Sequence, residues 1–301
     1  MMRTYIHIFL GVVMTCFLSC GWMGAAKGSR GKPSAKEGIQ VKVASYNIRY
    51  AAAADEKTGN GWAIRKEPLA NLIRNHGFDI VGTQEGNFSQ MADLMALLPE
   101  YDYVGYPYAG KTSKNHTASI VYKKAEFEVS DHGVFWYSET PEVESIGWDA
   151  TDTRICTWAK MKHKSTGQEF YFFTSHFYYR YRTAKQNSGK VMVRKIKEIA
   201  GNNLPVISTG DLNSSPRTSQ ITDVLTYLGD SYVLSEAPRS GPKGTGFPGG
   251  VFEGTPGSRI DYVLVNDRIR VLSYAVLADS YNNGHYPSDH LPVVCDLLLK
   301  K

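Results

Sequence analysis

Runs of apolar residues divide the chain beyond residue 38 into many short strands and a few helices. Residues 41–45 alternate between apolar and polar side chains, which predicts a strand, and residues 62–77 carry apolar side chains at helical spacing before a terminating glycine. The same patterns predict further strands at residues 79–83, 101–106, 118–122, 127–137, 154–163, 169–175, 204–208, 260–265, 271–277 and 291–299, and further helices at residues 91–98 and 185–199. Strands outnumber helices, and helices occur in both halves of the chain. This order predicts an α/β fold, a four-layer α/β/β/α sandwich of two mainly antiparallel sheets with helices outside.

The first residues have the pattern of an export signal. An apolar stretch at residues 8–18 follows a positive charge and is too short to span a bilayer comfortably, and the sequence ending in Ser19-Cys20 resembles a bacterial lipobox. The resemblance implies that residues 1–19 are a signal peptide and that Cys20 is lipidated. An ordinary signal peptide cleaved near residues 24–26 is the alternative. We therefore expect an exported protein, lipid-anchored in the bacterial cell envelope (periplasm or outer membrane), with no other contact to the membrane.

Composition limits the class of protein to which the rest of the chain belongs. Residues 20–38 are rich in Gly, Ser, Lys and Arg and are predicted to form a flexible tether, whereas residues 39–301 contain no linker or repeat and are predicted to form one domain. The chain is 42% hydrophobic and 21% charged, which is typical of a globular protein. Its net charge of +5 is too small to identify a nucleic-acid binder. Cys156 and Cys295 lie in apolar runs, which favours buried free thiols over a disulfide or a metal pair.

Polar side chains stand at the ends of six predicted strands. Residues at successive strand ends of a sandwich converge on one rim, where a rigid scaffold can hold a functional site. Each of them alone is equally consistent with a turn or a solvated surface, but together they predict a site. These residues are Asn47, Gln84-Glu85, His176, Asp211 with Asn213, Asp261, and Ser288-Asp289-His290.

Six short motifs carry a family resemblance. They are Ser45-Tyr46-Asn47, Thr83-Gln84-Glu85, Ser175-His176, Gly210-Asp211-Leu212-Asn213, Arg259-Ile260-Asp261-Tyr262 and Ser288-Asp289-His290. In this order they resemble the endonuclease/exonuclease/phosphatase superfamily, a set of DNase-I-like, metal-dependent phosphohydrolases. The resemblance runs from about residue 41 to residue 294, and residues 135–150 further resemble a bacterial secreted branch of that superfamily.

The resemblance implies a catalytic role for five of these residues. Asp211 would align or deprotonate the attacking water, and Asn213 would orient the water or a phosphate oxygen. His290 would donate to a phosphate oxygen, with Asp261 holding its other ring nitrogen and raising its pKa. His176 would be a second donor on the phosphate side.

Hard oxygen ligands imply a divalent cation as cofactor. Glu85 and the Asn47 amide suit Mg²⁺ or Mn²⁺, and Asp289 would complete the shell. Such an ion would neutralise phosphate oxygens and the charge on the leaving group. A zinc site is disfavoured, because the histidines of the sequence show no metal-ligand spacing on one element.

Two departures from the family pattern concern the substrate. Arg49 stands where many nucleases of the superfamily have an acid, so it leaves the metal with fewer anionic ligands or lends a cation to the phosphate. After His176 the chain continues with aromatic residues and arginines, among which Tyr178 and Arg180 could stack on a base or sugar or clamp a phosphate; packing under a loop is the alternative. Arg154 could bind a phosphate bidentately or lie at an exposed edge. The glycine-rich residues 241–257 form either a lid over the site or a solvated connector.

The residues thus favour a divalent-metal-dependent hydrolase of phosphoester bonds acting as a monomer. Its phosphorylated substrate could be a nucleic acid, a phospholipid head group or a small phosphoester. The alternative is a catalytically silent envelope binding protein that reuses the fold. A decayed site would have lost Glu85, Asp211 or His290, and all three are present.

Overall fold

The computed structural model describes Met1, residues 38–281 and residues 284–301. The predicted signal peptide after Met1, the lipidation site Cys20 and the tether up to residue 37 lie outside the described residues. The described residues from Gly38 onward belong to one compact unit. Among the described residues, no helix is both long enough and apolar enough to cross a bilayer.

Two six-stranded sheets form the centre of the fold. The first contains β1 (Gly38–Asn47), β2 (Ile80–Gln84), β3 (Tyr101–Pro107), β4 (Thr117–Lys123), β11 (Ile269–Val276) and β12 (Val293–Lys300), in the order β11-β12-β1-β2-β4-β3. The second contains β5 (Phe127–Trp136), β6 (Ile155–His163), β7 (Glu169–His176), β8 (Val206–Asp211), β9 (Gly229–Asp230) and β10 (Asp261–Val265), in the order β5-β6-β7-β8-β10-β9. Only β1–β2 and β7–β8 pair in parallel among these strands, so the sheets are mainly antiparallel, as predicted.

Helices cover the outer faces of both sheets. On the first sheet lie α2 (Trp62–His76) and α3 (Phe88–Leu97), and on the second lie α4 (Arg182–Ala200) and α5 (Ser219–Val224). The short α1 (Ala53–Glu56) follows β1, and the short α6 (Ser231–Leu234) packs Tyr232 against the core between the sheets. Each parallel strand pair is joined by one long helix, α2 between β1 and β2 and α4 between β7 and β8. The α2 helix ends at Gly77, whose φ of 65° is left-handed and whose N–H binds the carbonyl oxygens of Ile73 and Arg74, as the sequence predicted.

Three apolar layers hold the sandwich together. Residues such as Val43 and Phe172 fill the space between the sheets. Leu69 packs α2 on the outer face of the first sheet, and Ile196 packs α4 on the second. The predicted four-layer arrangement is therefore confirmed. The two cysteines of the domain are buried free thiols, as expected.

The sequence pattern missed the shortest elements and one strand end. The α1, α5, α6 and β9 elements are too short for a periodic pattern to reveal them. The predicted strand at residues 204–208 runs instead from Val206 to Asp211. Thr209, Gly210 and Asp211 break the apolar run, yet all three are buried. Gly210 and Asp211 are hydrogen-bonded to Ser45 and Asn47 of the opposite sheet, and the Thr209 hydroxyl donates to Phe173 O of its own sheet.

Polar contacts join the two sheets near the carboxyl ends of the parallel strands. Gly210 N–H donates to Ser45 Oγ at 3.0 Å, and Gln84 Nε2 donates to Thr174 Oγ1 at 2.9 Å. A Cβ on Gly82 would lie 1.9 Å from Thr209 Oγ1, so only glycine allows the sheets to approach this closely there. These contacts set the ends of β1 and β2 opposite the ends of β7 and β8.

Candidate active site

The predicted polar strand ends meet around one cavity of about 860 Å³. The carboxyl ends of β1, β2, β7 and β8 lie at this edge, together with the start of β10 and the segment that precedes β12. Asn47 and Asp261 are buried behind the cavity wall, and Arg180 is not part of the wall. The predicted site residues that line the cavity are Arg49, Glu85, Arg154, His176, Tyr178, Asp211, Asn213, Asp289 and His290.

Asp211 ends β8 and is 2% exposed. Its Oδ2 accepts a hydrogen bond from Asn47 Nδ2 at 3.0 Å, and its Oδ1 accepts one from Asn213 N–H at 2.9 Å. Burial raises the pKa of Asp211 to about 7, against the opposing effect of His290. A carboxyl group whose pKa lies near neutrality is suited to accept a proton from water.

His290 is held between two carboxylates. Its Nδ1 lies 2.9 Å from Asp261 Oδ2, and its Nε2 lies 3.7 Å from Asp211 Oδ2. Burial lowers the pKa of His290, but Asp261 and Asp211 outweigh burial and raise that pKa well above its usual value. The ring is therefore a cation at neutral pH, which fits the predicted pairing of Asp261 with His290.

His176 has a different environment. Its Nδ1 lies 2.8 Å from Tyr108 Oη and its Nε2 lies 3.1 Å from Asn213 Nδ2. Burial, with a further contribution from Arg154, lowers the pKa of His176 well below its usual value, and the Glu85 carboxylate opposes this shift. Both ring nitrogens of His176 are therefore within hydrogen-bond distance of protein groups. The predicted hydrogen bond from His176 to a phosphate oxygen stays a prediction. Tyr108, which the sequence analysis did not single out, also accepts a hydrogen bond from Glu85 N–H.

Glu85 and Asp289 provide the donor set for a cation. Burial opposes ionisation of Glu85, but His176, Arg49 and His290 outweigh it and lower the pKa of Glu85 to about 2. Burial and the nearby Glu85 carboxylate raise the pKa of Asp289. Two neighbouring carboxyl groups that line one cavity fit a hard divalent ion such as Mg²⁺ or Mn²⁺.

Asn47 is placed between the carboxylates. Its Nδ2 donates to Glu85 at 3.2 Å and to Asp211 at 3.0 Å, and its Oδ1 accepts from Arg49 N–H at 3.0 Å. In this geometry the amide links the predicted metal ligand to the predicted base. Its role as a direct metal ligand stays a prediction.

A second cluster of residues whose side chains can bind metal ions lies at the same site. Asp211, Asp261 and His290 offer ligand atoms within 4.8 Å of one another. A histidine must be neutral to bind a metal ion, whereas both carboxylates favour the charged ring of His290. These three residues are therefore better described as a charge network than as a metal centre.

Arg49 lies beside the carboxylates with a left-handed backbone, φ 54°. Its guanidinium donates twice to Asp55, and its Nη1 lies 3.4 Å from Asp289 Oδ2. Asp55 therefore fixes the direction of this cation, and Arg49 places positive charge next to the carboxylates that would hold a metal.

Arg65, on α2, holds two loops of the site and was not singled out by the sequence analysis. Its side chain is 0% exposed and lies between the rings of Trp62 and Phe252. All of its hydrogen bonds go to backbone carbonyl oxygens, which belong to Ile48, Arg49, Tyr50, Asn60 and Pro287. The end of β1 is thereby tied to the residue that precedes Ser288-Asp289-His290.

Gln90, on α3, supports the same loop. Its Nε2 donates to Arg49 O at 2.9 Å, and its Oε1 accepts from Ala51 N–H at 2.9 Å. The backbone strain at Arg49 is thus balanced by hydrogen bonds from two buried side chains, Gln90 and Arg65.

Arg154 enters the cavity wall between two tyrosine rings. Its guanidinium carbon lies 5.6 Å from the ring centroid of Tyr108 and 5.5 Å from that of Tyr178. Its Nη1 donates to Thr153 O, its buried Nε has no partner, and within the described chain it forms no ion pair. An arginine with spare donors beside a cavity fits an anionic ligand. Arg180 lies over the ring of Tyr179 instead, and its contact with substrate stays a prediction.

The glycine-rich residues 241–257 form one side of the cavity. Residues 246–250 line it, Phe247 N–H donates to Asp289 O at 2.9 Å, and Leu291 N–H donates to Thr245 O at 2.8 Å. These hydrogen bonds fasten the glycine-rich segment to the residues before β12, among which is His290. The segment therefore covers the site as a hydrogen-bonded wall.

Comparison with known proteins agrees with this geometry. Among solved structures, a mannosyl-6-phosphatase from Bacteroides thetaiotaomicron is 37% identical with a TM-score of 0.81, over 86% of this chain and 99% of that one. An endonuclease/exonuclease/phosphatase family protein from the same organism is 35% identical with a TM-score of 0.82, over 88% and 100%.

Curated sequences match over a smaller share of their length. A protein of Acanthamoeba polyphaga mimivirus is 30% identical over 145 residues, which are 46% of this chain and 54% of that protein. The chain spans about half the length of the curated relatives it matches. The family model described as Endonuclease/Exonuclease/phosphatase family matches residues 44–290. From its fold, its site and this match, the chain belongs to the endonuclease/exonuclease/phosphatase family.

Proposed function

We propose that this protein is a divalent-metal-dependent phosphomonoesterase that acts on small phosphorylated molecules. The observation that carries the proposal is the meeting of a buried base, a histidine cation and a pair of carboxylates in one cavity: Asp211, His290, and Glu85 with Asp289. The chain also resembles a mannosyl-6-phosphatase over nearly the whole length of that protein. A cavity of about 860 Å³ has the size of a small-molecule site.

Hydrolysis begins with a water molecule placed beside Asp211. Asp211 accepts a proton from this water as the oxygen attacks phosphorus, and Asn213 N–H holds the carboxylate in position. The ester P–O bond breaks, and the leaving oxygen takes a proton from solvent and departs as the alcohol. The cationic ring of His290 stabilises the negative charge that grows on the phosphate oxygens, while Asp261 keeps the ring oriented. Arg154 binds a phosphate oxygen from the opposite wall.

Glu85 and Asp289 would hold the divalent ion, with the Asn47 amide between Glu85 and Asp211. When bound, the ion neutralises charge on the phosphate and on the leaving oxygen. A bound ion would also offset the repulsion between the Glu85 and Asp289 carboxylates, which burial strengthens.

Replacing Glu85 by glutamine is expected to raise the Mg²⁺ or Mn²⁺ concentration required for half-maximal rate by at least about tenfold, because one anionic ligand is lost. Calorimetric titration of the ion measures the same change without turnover. Glu128→Gln is the matched control, since Glu128 is a surface residue of β5 paired with Lys162. An unchanged metal titration in Glu85→Gln would remove Glu85 from the metal site.

The proposed function is tested by comparing the rates at which the protein hydrolyses phosphate monoesters and a phosphate diester. The purified protein is assayed with phenyl phosphate, mannose 6-phosphate and bis-p-nitrophenyl phosphate in Mg²⁺, Mn²⁺ or EDTA. We expect metal-dependent release of phosphate from at least one monoester and slower cleavage of the diester. Faster cleavage of the diester would assign a phosphodiesterase. Binding of a monoester without turnover in any metal would favour the catalytically silent binding protein.

We further propose that the protein is exported and anchored in the cell envelope through lipidated Cys20. The lipobox-like sequence before Cys20 supports this location. In a bacterial host, the full chain should fractionate with membranes and take up labelled fatty acid, and Cys20→Ala should abolish the labelling. Labelling that persists in Cys20→Ala would place the acyl group elsewhere.

A further inference from the structure

The cavity extends beyond the residues that would bind phosphate and metal. One wall comes from Thr112, Ser113 and His116, between β3 and β4, and another from residues 151–152, before β6. The mechanism above uses neither of them. A cavity of about 860 Å³ offers far more room than a phosphate group fills, so these walls face the part of the substrate that leaves.

Asp152 organises the first wall. It is 5% exposed and accepts hydrogen bonds from the backbone N–H groups of Lys111, Thr112, Ser113 and Thr153. It also accepts from the Thr112 and Ser113 hydroxyls. Because its oxygens are fully engaged, Asp152 serves as a positioning residue and is not free to act as a base.

Gly110 permits this arrangement. A Cβ at Gly110 would lie 1.8 Å from Asp152 Oδ1, so a larger residue would push the carboxylate away from the loop. The loop is therefore built around one buried anion, which fixes Thr112 and Ser113 at the cavity surface.

The hydrogen bonds decide what this wall can recognise. A hydroxyl has one hydrogen to donate, and Thr112 and Ser113 both give theirs to Asp152. Only lone pairs remain for a ligand, so both side chains act as acceptors. The second wall adds the Thr151 hydroxyl, which shares a hydrogen bond of 2.7 Å with Tyr178 Oη.

An aromatic pair completes the region. The His116 ring lies 4.5 Å from the ring of Tyr50, with an angle of 31° between the planes, and both residues line the cavity. Within the described chain, the ring nitrogens of His116 have no hydrogen-bond partner. The two rings offer a flat apolar surface next to the His116 ring nitrogens, which are available for hydrogen bonds to a ligand.

We propose that this region is a leaving-group subsite for a polyhydroxylated moiety, a hexose whose hydroxyl groups donate to Thr112 and Ser113 and whose C–H face packs on Tyr50 and His116. The subsite rests on the proposed phosphomonoesterase function. A second phosphate anion or a DNA backbone offers only acceptors, so it finds no hydrogen to share with Thr112 or Ser113. The wall therefore selects sugar phosphates over polyanionic chains.

The test compares kcat/KM for mannose 6-phosphate with kcat/KM for phenyl phosphate, whose leaving group carries no further hydroxyl. Thr112→Val and Ser113→Ala should each lower this ratio about fivefold, the change expected from one hydrogen bond. Thr112→Ser keeps the acceptor and should retain the wild-type ratio. Thr222→Val, the matched change on an exposed face of α5, should leave both rates unchanged.

The possible results separate the two proposals. An unchanged ratio in Thr112→Val and Ser113→Ala would overturn the subsite, and so would an equal loss on both substrates, which would indicate a purely structural loop. Turnover of phenyl phosphate but not of mannose 6-phosphate by the wild type would overturn the subsite and leave the phosphomonoesterase standing. Failure to hydrolyse either ester in Mg²⁺ or Mn²⁺ would overturn both.

Discussion

Replacing Asp211 by asparagine is expected to lower kcat by about 10²- to 10⁴-fold, the contribution of a general base. The amide is nearly the same size and keeps an acceptor for Asn213 N–H, which maintains the turn after β8. Its NH₂ group replaces the oxygen that accepts from Asn47 Nδ2, so that one hydrogen bond is lost. The amide cannot take a proton from water. The effect should therefore appear in kcat with a smaller change in KM.

Calorimetry and thermal unfolding complete this experiment. Divalent-ion binding should persist in Asp211→Asn, because Glu85 and Asp289 are unchanged. Asp223→Asn, on α5 and away from the cavity wall, provides a control that should retain full activity. If Asp211→Asn turned over substrate at the wild-type rate, another group would have to act as the base.

Replacing Arg65 by methionine is expected to lower the free energy of unfolding by at least about 4 kcal/mol. Methionine can fill the space between Trp62 and Phe252, but it donates no hydrogen bond. Each buried carbonyl oxygen that loses its donor costs about 1–3 kcal/mol, and Arg65 serves several of them. Domains are stable by only about 5–15 kcal/mol, so this variant should lie close to unfolding at 37 °C.

Denaturant unfolding followed by circular dichroism measures this loss. Arg74→Met is the matched control, because Arg74 is on the same helix with a 44% exposed side chain. Its loss should cost no more than about 1 kcal/mol. Arg65→Lys should recover only part of the stability, since one ammonium group cannot reach all the carbonyl oxygens. Equal stability of Arg65→Met and Arg74→Met would show that water molecules replace the guanidinium as hydrogen-bond donors to these carbonyl oxygens.

Much of the fold could be predicted because its strands are long and apolar. The strands that end at Asn47 and His176 carry their chemistry directly after an apolar run, and the family motifs gave the order of the remaining site residues. Short elements such as α1 and β9 could not be predicted, because four or fewer residues show no period.

The supporting residues of the site could not be predicted for a different reason. In the sequence Arg65 stands on a helix beside Lys66 and Glu67, where a charged residue ordinarily faces solvent. Only the tertiary structure shows that carbonyl groups distant in sequence converge on it. For Asp152 it was the hydrogen-bond partners that the sequence could not show, because residues 111–113 lie about forty residues away in the chain.

The pattern of residue types also gave no indication of which residues have a left-handed backbone conformation. Arg49, Glu85 and Asn213 all have positive φ angles, and each follows the end of a strand at the site. The left-handed backbone conformation costs a residue other than glycine about 1–3 kcal/mol, so it persists only where neighbouring groups stabilise it. Hydrogen bonds to Arg49 O from Arg65 and Gln90 provide that support at one of the three positions.

The polar contacts between the sheets have a consequence for how the site can fail. Glu85 follows a strand of the first sheet and Asp211 ends a strand of the second, so their separation depends on how one sheet sits over the other. A slip by one residue, about 3.3 Å, would break no strand pairing but would misalign the proposed metal ligand Glu85 with the proposed base Asp211. The Ser45–Gly210 and Gln84–Thr174 hydrogen bonds oppose such shear. The alignment of the site therefore depends on the contact between the two sheets. Substitutions at that contact would leave both sheets folded but would displace the site residues of one sheet relative to those of the other.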